Sequence, residues 1–304
     1  MAVIWGVNFS VVKYGTRAFA PLAFNGVRVA LGTVTIFAVA LVATRGVRWP
    51  NRQTTLALVG LGVLGNGVYQ ILFVEGVART QAGAASLVLA AGPALIAIFG
   101  RIRGIERITP HGALGILFSI AGVGLVMLGG RSAAAAPGAA AHAAVVGSLL
   151  VFAAAACWAV YTVYLQPYTK AVNGLQLSAI TLGGGCVALL IAGARDIAAT
   201  TWPASPLATA QAAAAAGGTL AGVVGFFANP WGAVAYSGLL AIVAAYLLFY
   251  RGVRILGPTR TAMYSNLQPA VALFVAWATL GEVPSSVQAL GALAILVGIL
   301  LTRK

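Results

Sequence analysis

Residues 72–106 read LFVEGVARTQAGAASLVLAAGPALIAIFGRIRGIE, and residues 248–282 read LFYRGVRILGPTRTAMYSNLQPAVALFVAWATLGE. The two stretches align without a gap at an offset of 176 residues, so that Pro93 coincides with Pro269 and both stretches end on a glutamate. The alignment continues without a gap to the end of the chain. Because the shared residues include Gly, Pro and Glu at the ends of elements, this repeat predicts two copies of one structural unit.

The composition narrows the class of protein to which this repeat belongs. Of 304 residues, 61% are hydrophobic and 7% are charged, whereas soluble globular proteins carry roughly 25% charged residues. The chain has 18 Lys and Arg against four acidic residues, and on a soluble protein this excess would indicate a nucleic-acid partner. On a membrane protein it is expected, because Lys and Arg concentrate in cytoplasmic loops. We therefore expect a polytopic protein in a lipid bilayer, with no nucleic-acid partner.

The residue types that usually carry metals or catalysis are scarce. Cys157 and Cys186 lie in apolar runs and form neither a disulfide framework nor a metal-binding spacing. His111 and His142 lie at a predicted helix start and in a predicted linker, and the chain lacks the HExxH motif of intramembrane metalloenzymes. We expect no metal site, no cofactor and no enzymatic activity.

Apolar segments long enough to cross a membrane recur along the chain. A spanning helix needs about 20 apolar residues. Nine segments meet this criterion, and a tenth, residues 1–14, comes first and is short as written. The nine segments are approximately 21–44, 55–78, 82–100, 110–129, 145–166, 174–194, 231–250, 261–280 and 286–302. Numbered along the chain, they predict spans 1 to 10, with the short segment as span 1.

The distribution of Lys and Arg predicts the orientation of these spans. With a cytoplasmic N-terminus, 12 of the 18 cations fall in cytoplasmic loops and five fall outside. Residues 207–230 are apolar enough to be an eleventh span, but Gly-Gly and Asn-Pro pairs interrupt them. We interpret them as part of a periplasmic insertion, about 195–230, that carries a surface helix. Both termini are then cytoplasmic, in a bacterial inner membrane.

The repeat and the span count together predict the architecture. Residues 1–130 and 145–304 each contain five spans, and the Ala/Gly-rich segment 131–144 is the predicted linker. Because five is odd, the second half enters the membrane from the opposite side. The predicted fold is therefore all-α, with ten transmembrane helices arranged as two inverted five-helix repeats. This is the usual architecture of secondary transporters, whose substrate site lies near the midplane between the repeats.

The order of several motifs resembles the drug/metabolite transporter superfamily, specifically its EamA-type ten-helix transporters. The motifs are WGVNFSVVKYG (5–15), FNGVRVALG (24–32), RTQAGAASLVLAAGPALIAIF (79–99), WAVYTVYLQP (158–167) and the stretch 246–282. The resemblance implies a central cavity lined mainly by spans 1, 3, 4, 6, 8 and 9, through which small metabolites move. This chain departs from the pattern in its short first span and in its long, Ala-rich 7–8 connection.

Span 6 carries aromatic residues deep in an apolar segment. Trp158 and Tyr161 lie within one arc of the predicted helix, and their ring faces suit flat or apolar ligands and cations. An interfacial aromatic belt is the alternative, and it applies better to Tyr164 and Tyr168, nearer the cytoplasmic end. We predict that Trp158 and Tyr161 line a substrate cavity.

Span 9 concentrates hydrogen-bonding side chains just before a proline. Tyr264, Asn266 and Gln268 precede Pro269, which removes a backbone donor and frees a carbonyl one turn earlier. The mirror segment before Pro93 is apolar, so the two halves differ in polarity. We predict that the three polar residues bind an amphipathic substrate and that both prolines are hinges. The alternative is that these side chains only hold helices together.

Three further residues are predicted to line the cavity because polar side chains are costly within spans. Asn8 lies at the position equivalent to Tyr161, at an offset of 153 residues. Gln70 lies at the position equivalent to Tyr246, at the offset of 176. Each pair places a hydrogen-bonding group at matching points of the two halves.

Ionisable residues within the spans are Lys13, Arg28 and Glu75. Glu75 is the only acid there, and a proton-coupled antiporter would need one or a substitute. Arg79 follows it at i+4, however, so a structural ion pair is favoured over a proton carrier. Lys13 and Arg28 offer positive charge for a substrate carboxylate near the outer vestibule, or pair with Glu75 and headgroups.

Glycines recur at a seven-residue spacing in the last span of each half. Gly115 and Gly122 in span 5 match Gly291 and Gly298 in span 10. Small residues allow close approach of helix backbones. We predict that they pack these helices onto the core, with homodimerisation as the alternative, so the protein is a monomer or a homodimer.

The predicted function follows from the repeat, the span parity and the candidate residues. We expect a secondary transporter that exports small amphipathic metabolites, such as amino acids or drug-like compounds, by alternating access. An uncoupled facilitator of the same fold is the alternative, because intramembrane carboxylates are scarce.

Overall fold

A computed structural model gives the structure, which describes residues 1–45, 47–105, 108–133, 138–205, 207–209, 211–212, 214–215, 229–256 and 267–301. Within these ranges the regular structure is helical, with no strand. The α-helices are α1 (Ala2–Ala18), α2 (Pro21–Ala43), α3 (Arg52–Gly62), α4 (Tyr69–Arg79), α5 (Ala82–Leu89), α6 (Gly92–Ile102), α7 (Pro110–Ala133), α8 (Ala139–Ala171), α9 (Gly174–Ala199), α10 (Pro230–Ala235), α11 (Ala245–Leu256), α12 (Gln268–Leu280) and α13 (Ser286–Leu301).

Two π-helical segments interrupt long helices. The first π segment, Val63–Val68, joins α3 to α4, and the second, Tyr236–Ala244, joins α10 to α11. At the repeat offset of 176 residues the first π segment coincides with residues 239–244, inside the second. π-helical turns are rare and occur frequently at functional sites. The structure therefore has the same irregularity at matching points of both halves.

Among the residues that the structure describes, seven helices are long and apolar enough to cross a membrane. They are Pro21–Ala43, Arg52–Arg79, Ala82–Ile102, Pro110–Gly129, Ala139–Ala171, Gly174–Ala192 and Pro230–Phe249. The helices α1, α12 and α13 are shorter, with 17, 13 and 16 residues. The described part of the chain is thus an all-helical, polytopic membrane protein.

Helix bounds differ from the predicted ones at two places. The first helix was predicted to end at residue 14 but continues to Ala18, and its last backbone hydrogen bond runs from the Phe19 amide to the Gly15 carbonyl. The predicted linker 131–144 is largely helical, since α7 extends to Ala133 and α8 begins at Ala139. Alanine has the highest helix propensity, so an Ala-rich stretch favours helix over loop.

Two other predicted segments are described only in part. Of span 9 (261–280), the structure describes α12, which begins at Gln268; Tyr264 and Asn266 lie outside the described residues. In the predicted insertion 195–230, α9 continues to Ala199, and residues 207–209 are helical. Between these two helical segments, residues 200–205 cross one end of the bundle. There the Trp202 ring stacks on the Trp231 ring at a centroid distance of 5.6 Å.

The last helices of the two halves, α7 and α13, pack directly against each other. A Cβ atom on Gly122 would lie 2.6 Å from the carbonyl oxygen of Gly291, and one on Gly298 would lie 2.5 Å from that of Gly115. The contacts join higher residue numbers on α7 to lower residue numbers on α13, so the two helices run antiparallel. We call this contact the glycine seam. It uses these glycines inside one chain, as the packing interpretation predicts.

The bundle has two ends, named here by one residue each. The Glu282 end includes residues 13–20, 75–83, 193–205, 229–231 and 281–288, and the Trp49 end includes residues 44–52, 101–104 and 164–176. At the Glu282 end, Lys13 donates from Nζ to the Thr80 carbonyl at 2.7 Å. At the Trp49 end, Gln176 Nε2 donates to Thr44 Oγ1 at 3.3 Å.

Candidate functional site

The second π segment is held against the first helix by three hydrogen bonds. Trp5 Nε1 donates to the Ala241 carbonyl at 2.8 Å, and the Tyr236 hydroxyl donates to the Ile4 carbonyl at 3.1 Å. The Ser237 hydroxyl donates to Asn8 Oδ1 at 2.6 Å. Asn8 is buried, and it joins α1 to the other half of the chain.

A row of aromatic rings crosses from α8 to α4. The Trp158 ring lies 5.2 Å from Tyr161 and 5.3 Å from Tyr69, measured between centroids. Tyr69 stacks in turn on Phe73 at 5.8 Å. We call Trp158, Tyr161, Tyr69 and Phe73 the aromatic wall. Trp158 is half-buried, so it keeps some accessible ring surface, whereas Tyr161 is buried.

The first π segment lies directly behind this wall. A Cβ on Gly65 would lie 2.2 Å from the Tyr161 ring, so only glycine allows the backbone to approach this closely. The Tyr161 hydroxyl donates to Thr181 Oγ1 on α9 at 3.4 Å. Tyr161 is therefore fixed between α3–α4 and α9, and its ring supports Trp158.

A buried polar cluster lies between α2 and α4. Arg28 is 1% exposed. Its Nε donates to Asn25 Oδ1 at 2.9 Å and its Nη2 donates to Gln70 Oε1 at 2.7 Å. Asn25 Nδ2 donates to the Gln70 carbonyl at 2.9 Å, and the guanidinium carbon lies 5.5 Å from the centre of the Phe24 ring. Neutral amides therefore hold the guanidinium in place.

The start of α11 contacts the first π segment beside this cluster. The Tyr246 hydroxyl, just after the second π segment, donates to Asn66 Oδ1 in the first at 3.5 Å. Asn66 is 1% exposed and its Nδ2 is a buried donor without a partner. Tyr246 also lies within electrostatic range of Arg28. The structure thus brings together Gln70 and Tyr246, the pair at equivalent repeat positions.

Lys13 and Glu75 lie apart from this cluster, at the Glu282 end. Lys13 Nζ donates to three backbone carbonyls at the end of α4, on Val77, Ala78 and Thr80. This compensates carbonyls that lack intrahelical partners. Glu75 forms an ion pair with Arg79. Neither Lys13 nor Arg28 pairs with Glu75.

The predicted hinge prolines lie at helix starts. Pro93 follows a break at residues 90–91 that divides predicted span 4 into α5 and α6. Pro269 is the second residue of α12, after the half-buried Gln268. Proline fits the first turn of a helix because it has no N–H to satisfy there. Gln268 therefore lies at a helix start beside α1, where a Cβ on Gly6 would come within 2.9 Å of its carbonyl oxygen.

Sequence reasoning missed the contact that Glu282 makes. Glu282 precedes α13 in the sequence, but its Oε2 accepts from the Gly83 amide at the start of α5, at 3.2 Å. Burial raises the pKa of the Glu282 carboxyl above its ordinary value, while the Gly83 amide and Lys13 act in the opposite direction. A sequence alignment reveals the matched glutamates but not the helix that each one contacts.

The comparison with known proteins decides the family. Residues 1–128 and 145–304, nearly the whole chain, match the EamA-like transporter family. The chain belongs to the EamA-like transporter family. The EamA membership confirms the resemblance seen in the motifs.

Relatives of this EamA protein are named transporters. The uncharacterized transporter YyaM of Bacillus subtilis is 24% identical over 98% of this chain and 90% of its own length. The uncharacterized inner membrane transporter YedA of Escherichia coli K12 is 27% identical over 94% and 82%. A probable terminal-alkyne amino-acid exporter of Streptantibioticus cattleyicolor is 26% identical over 99% and 90%.

A solved structure also matches the EamA fold. It is described as "Crystal structure of protein" and superposes with a TM-score of 0.60 at 21% identity, covering 99% of this chain and 93% of that chain. At this identity it supports the fold alone. Family and relatives together identify a multi-pass membrane protein of a transporter family.

Proposed function

We propose that this EamA-family protein is a secondary transporter of the bacterial inner membrane that exports small amphipathic metabolites by alternating access. Amino acids and drug-like compounds are the substrate classes considered. The proposal includes ten transmembrane helices in two inverted five-helix repeats, with both termini in the cytoplasm. The working unit is a monomer or a homodimer.

Matching helix bounds support the inverted repeats. At the offset of 176 residues, α6 and α12 begin at equivalent positions, Gly92 and Gln268, and α7 and α13 begin at Pro110 and Ser286. The antiparallel glycine seam is what a two-fold axis in the membrane plane produces between equivalent helices. The EamA family matches both halves of the chain as well.

The charges at the two ends support the proposed orientation. The described part of the Trp49 end carries basic residues and no acidic residue. The basic residues are Arg45, Arg48, Arg52, Arg101, Arg103 and Lys170. The Glu282 end combines Lys13, Arg17, Arg79 and Arg195 with Glu75, Asp196 and Glu282. Because Lys and Arg favour the cytoplasmic side, the Trp49 end is the proposed cytoplasmic face.

The observation that carries the proposal is the aromatic wall beside neutral hydrogen-bonding groups where the two halves meet. Ring faces accept apolar groups of a ligand, and Asn8, Gln70 and Tyr246 provide hydrogen bonds that orient it. Tyr264, Asn266 and Gln268 extend this polar surface in the proposal, with Pro93 and Pro269 as hinges. The amino-acid exporter among the relatives supports the substrate class.

Flux through reconstituted protein tests the proposal. Cells that express the chain are first screened for resistance to a panel of toxic amino acids and drugs, and the compounds found are then used for export in proteoliposomes. Replacing Trp158 with Ala removes the accessible ring of the wall. We expect flux to fall by up to about tenfold, since loss of an aromatic contact costs roughly 0.5–1.5 kcal/mol.

A matched tryptophan provides the control. Trp277 on α12 is 57% exposed, so Trp277→Ala removes a ring of the same size away from the site and should transport at the wild-type rate. Wild-type flux in Trp158→Ala, at equal membrane abundance, would contradict the site. Absence of flux in the wild-type chain for every compound would contradict the transport proposal itself.

An uncoupled facilitator is the second candidate, and the ion pair between Glu75 and Arg79 favours it. A carboxylate held by an adjacent guanidinium is poorly suited to carry a proton. The two functions differ in whether an imposed pH gradient drives accumulation of substrate. Accumulation above the equilibrium level identifies coupled transport, and simple equilibration identifies the facilitator.

A further inference from the structure

We propose that Arg28, Asn66 and Tyr246 bind the carboxylate group of the transported molecule. The inference deepens the proposed transport function and rests on it, because it names the chemical group that the site recognises. It singles out carboxylate-bearing metabolites from the wider class of small amphipathic compounds.

The positive charge of Arg28 is buried without an acidic partner in the described structure. The chain has four acidic residues. Glu75 is paired with Arg79, Glu282 lies at the start of α5, Asp196 lies near the end of α9, and Glu106 lies outside the described residues. A buried charge is normally paired, because removing it from water costs several kcal/mol. An anionic ligand supplies the missing partner.

Around this charge lie donors that an anionic ligand can use, as well as the amide oxygens that already accept from Nε and Nη2 of Arg28. The Asn66 Nδ2 donor, also buried, has no partner. A carboxylate accepts several such bonds at once, and hydrogen bonds to an ionised acceptor are about twice as strong as neutral ones.

Two contacts tie the orphan donor to the guanidinium. Asn66 and Gln70 are one helical turn apart, and Gln70 accepts from Arg28 Nη2 at 2.7 Å. The Tyr246 hydroxyl contacts Asn66 and lies within electrostatic range of Arg28. The three residues come from α2, the first π segment and α11, so the group spans both halves of the protein.

The aromatic wall sets where the rest of the ligand lies. Tyr69 is within electrostatic range of Arg28 on one side and packs on Trp158 at 5.3 Å on the other. A carboxylate bound at Arg28 is therefore separated from Trp158 by one side chain, that of Tyr69. An apolar group attached to this carboxylate lies against the aromatic wall. Purely cationic or neutral amphiphiles satisfy the wall but leave the Arg28 charge unpaired.

In the competing role, Arg28 only holds α2 and α4 together, and we call this role the staple. The test separates the staple from ligand binding. Proteoliposomes that contain the full chain are loaded with labelled L-phenylalanine. Matched pairs of compounds then compete with the export of the labelled phenylalanine. The pairs are L-phenylalanine with L-phenylalaninamide, and 3-phenylpropionate with 3-phenylpropanol. In each pair an uncharged amide or alcohol group replaces the carboxylate, and the compound without the carboxylate is called the neutral partner.

In the wild type we expect the acids to compete at least about tenfold better than their neutral partners, from loss of a charge-assisted hydrogen bond. Arg28→Gln removes the charge and keeps an amide near Asn25 and Gln70, and it should abolish this preference while neutral compounds still compete. Asn66→Asp introduces a like charge for the ligand and should weaken the acids selectively. Arg101→Gln, an exposed cation at the Trp49 end, is the matched control and should preserve the preference.

Each outcome is decisive. Equal competition by acid and neutral partner in the wild type overturns the carboxylate site but leaves transport standing, and this comparison needs no variant. An unchanged acid preference in Arg28→Gln likewise overturns it and assigns Arg28 to the staple. Wild-type protein that neither exports phenylalanine nor any compound from the resistance screen overturns the proposed function together with the inference.

Discussion

At the level of single residues, three cations in or near the spans differ in what holds them. Lys13 donates to backbone carbonyls at the end of α4, and Arg79 pairs with Glu75. Arg28 is held by the neutral side chains of Asn25 and Gln70. Lys13 and Arg79 therefore stabilise the fold at the Glu282 end, while the Arg28 charge lies deeper and is oriented without being neutralised.

Glu282 gives a pH dependence with a definite sign. Its folded-state pKa is raised above the ordinary 4.5, so the folded protein favours the protonated carboxyl. The contribution of this group to stability is complete below about pH 4.5 and is lost as the pH rises through the raised folded-state value. In detergent, Glu282→Gln should therefore lose less thermal stability than the wild type between acidic and neutral pH.

A second variant separates the charge from the hydrogen bond. Glu282→Ala leaves the Gly83 amide without its acceptor, so we expect a loss of about 1–3 kcal/mol of stability at neutral pH. Glutamine retains an acceptor oxygen and should avoid most of this loss. Melting curves of Glu282→Gln that follow the wild type at every pH would show that the carboxyl is not responsible.

At the level of elements, the glycine seam depends on the short distance between the backbones of α7 and α13. A Cβ on Gly122 would lie 2.6 Å from the Gly291 carbonyl oxygen, so α7 and α13 must separate to admit it. A Cβ on Gly124, two residues further along α7, would lie in open space. The two positions form a matched pair on one helix.

Alanine substitutions at these glycines should have opposite effects. Gly122→Ala overpacks the seam and should destabilise the protein by about 1–3 kcal/mol. Gly124→Ala relieves the helix penalty of glycine and should be neutral or stabilising by up to about 1 kcal/mol. Thermal unfolding of both variants in the same detergent measures the difference, and equal melting temperatures would argue against a tight seam.

Several elements were predictable from the sequence, and others were not. Pattern matching identified the repeat and therefore the shared starts of α6 with α12 and of α7 with α13. The extension of the first helix to Ala18 is not reported by local hydropathy, because Gly15, Thr16 and Arg17 end the apolar pattern without ending the helix. The π segments are also invisible to hydropathy, because one changed turn barely alters an apolar pattern.

The candidate site shows the same division. Polarity within an apolar span singled out Asn8, Gln70 and Arg28, and the structure buries all three. Asn25 and Asn66 were missed, although both are amides within spans, and the rule that marked Gln70 applies to them equally. Which donor meets which acceptor depends on how α2, α4 and α11 pack, and no spacing along one chain segment reports this.

At the level of the whole molecule, the seam and the site make opposite demands on motion. Alternating access needs the halves to move around the site, while α7 and α13 are in backbone contact. Spin labels at the exposed Leu117 and Leu293 should therefore keep one distance with and without substrate. Labels at Ile102 and Lys170, at the Trp49 end on different halves, should shift by several ångströms, and a fixed distance there would contradict the rocking motion.

The paired π segments also bear on the origin of the two halves. A π turn accommodates extra residues in a helix, and turns of this kind are rare. The described segments lie at matching positions, which is what one insertion copied together with its unit would produce. The residues before Pro269 are polar where those before Pro93 are apolar, so the two stretches share a backbone irregularity but not a side-chain chemistry.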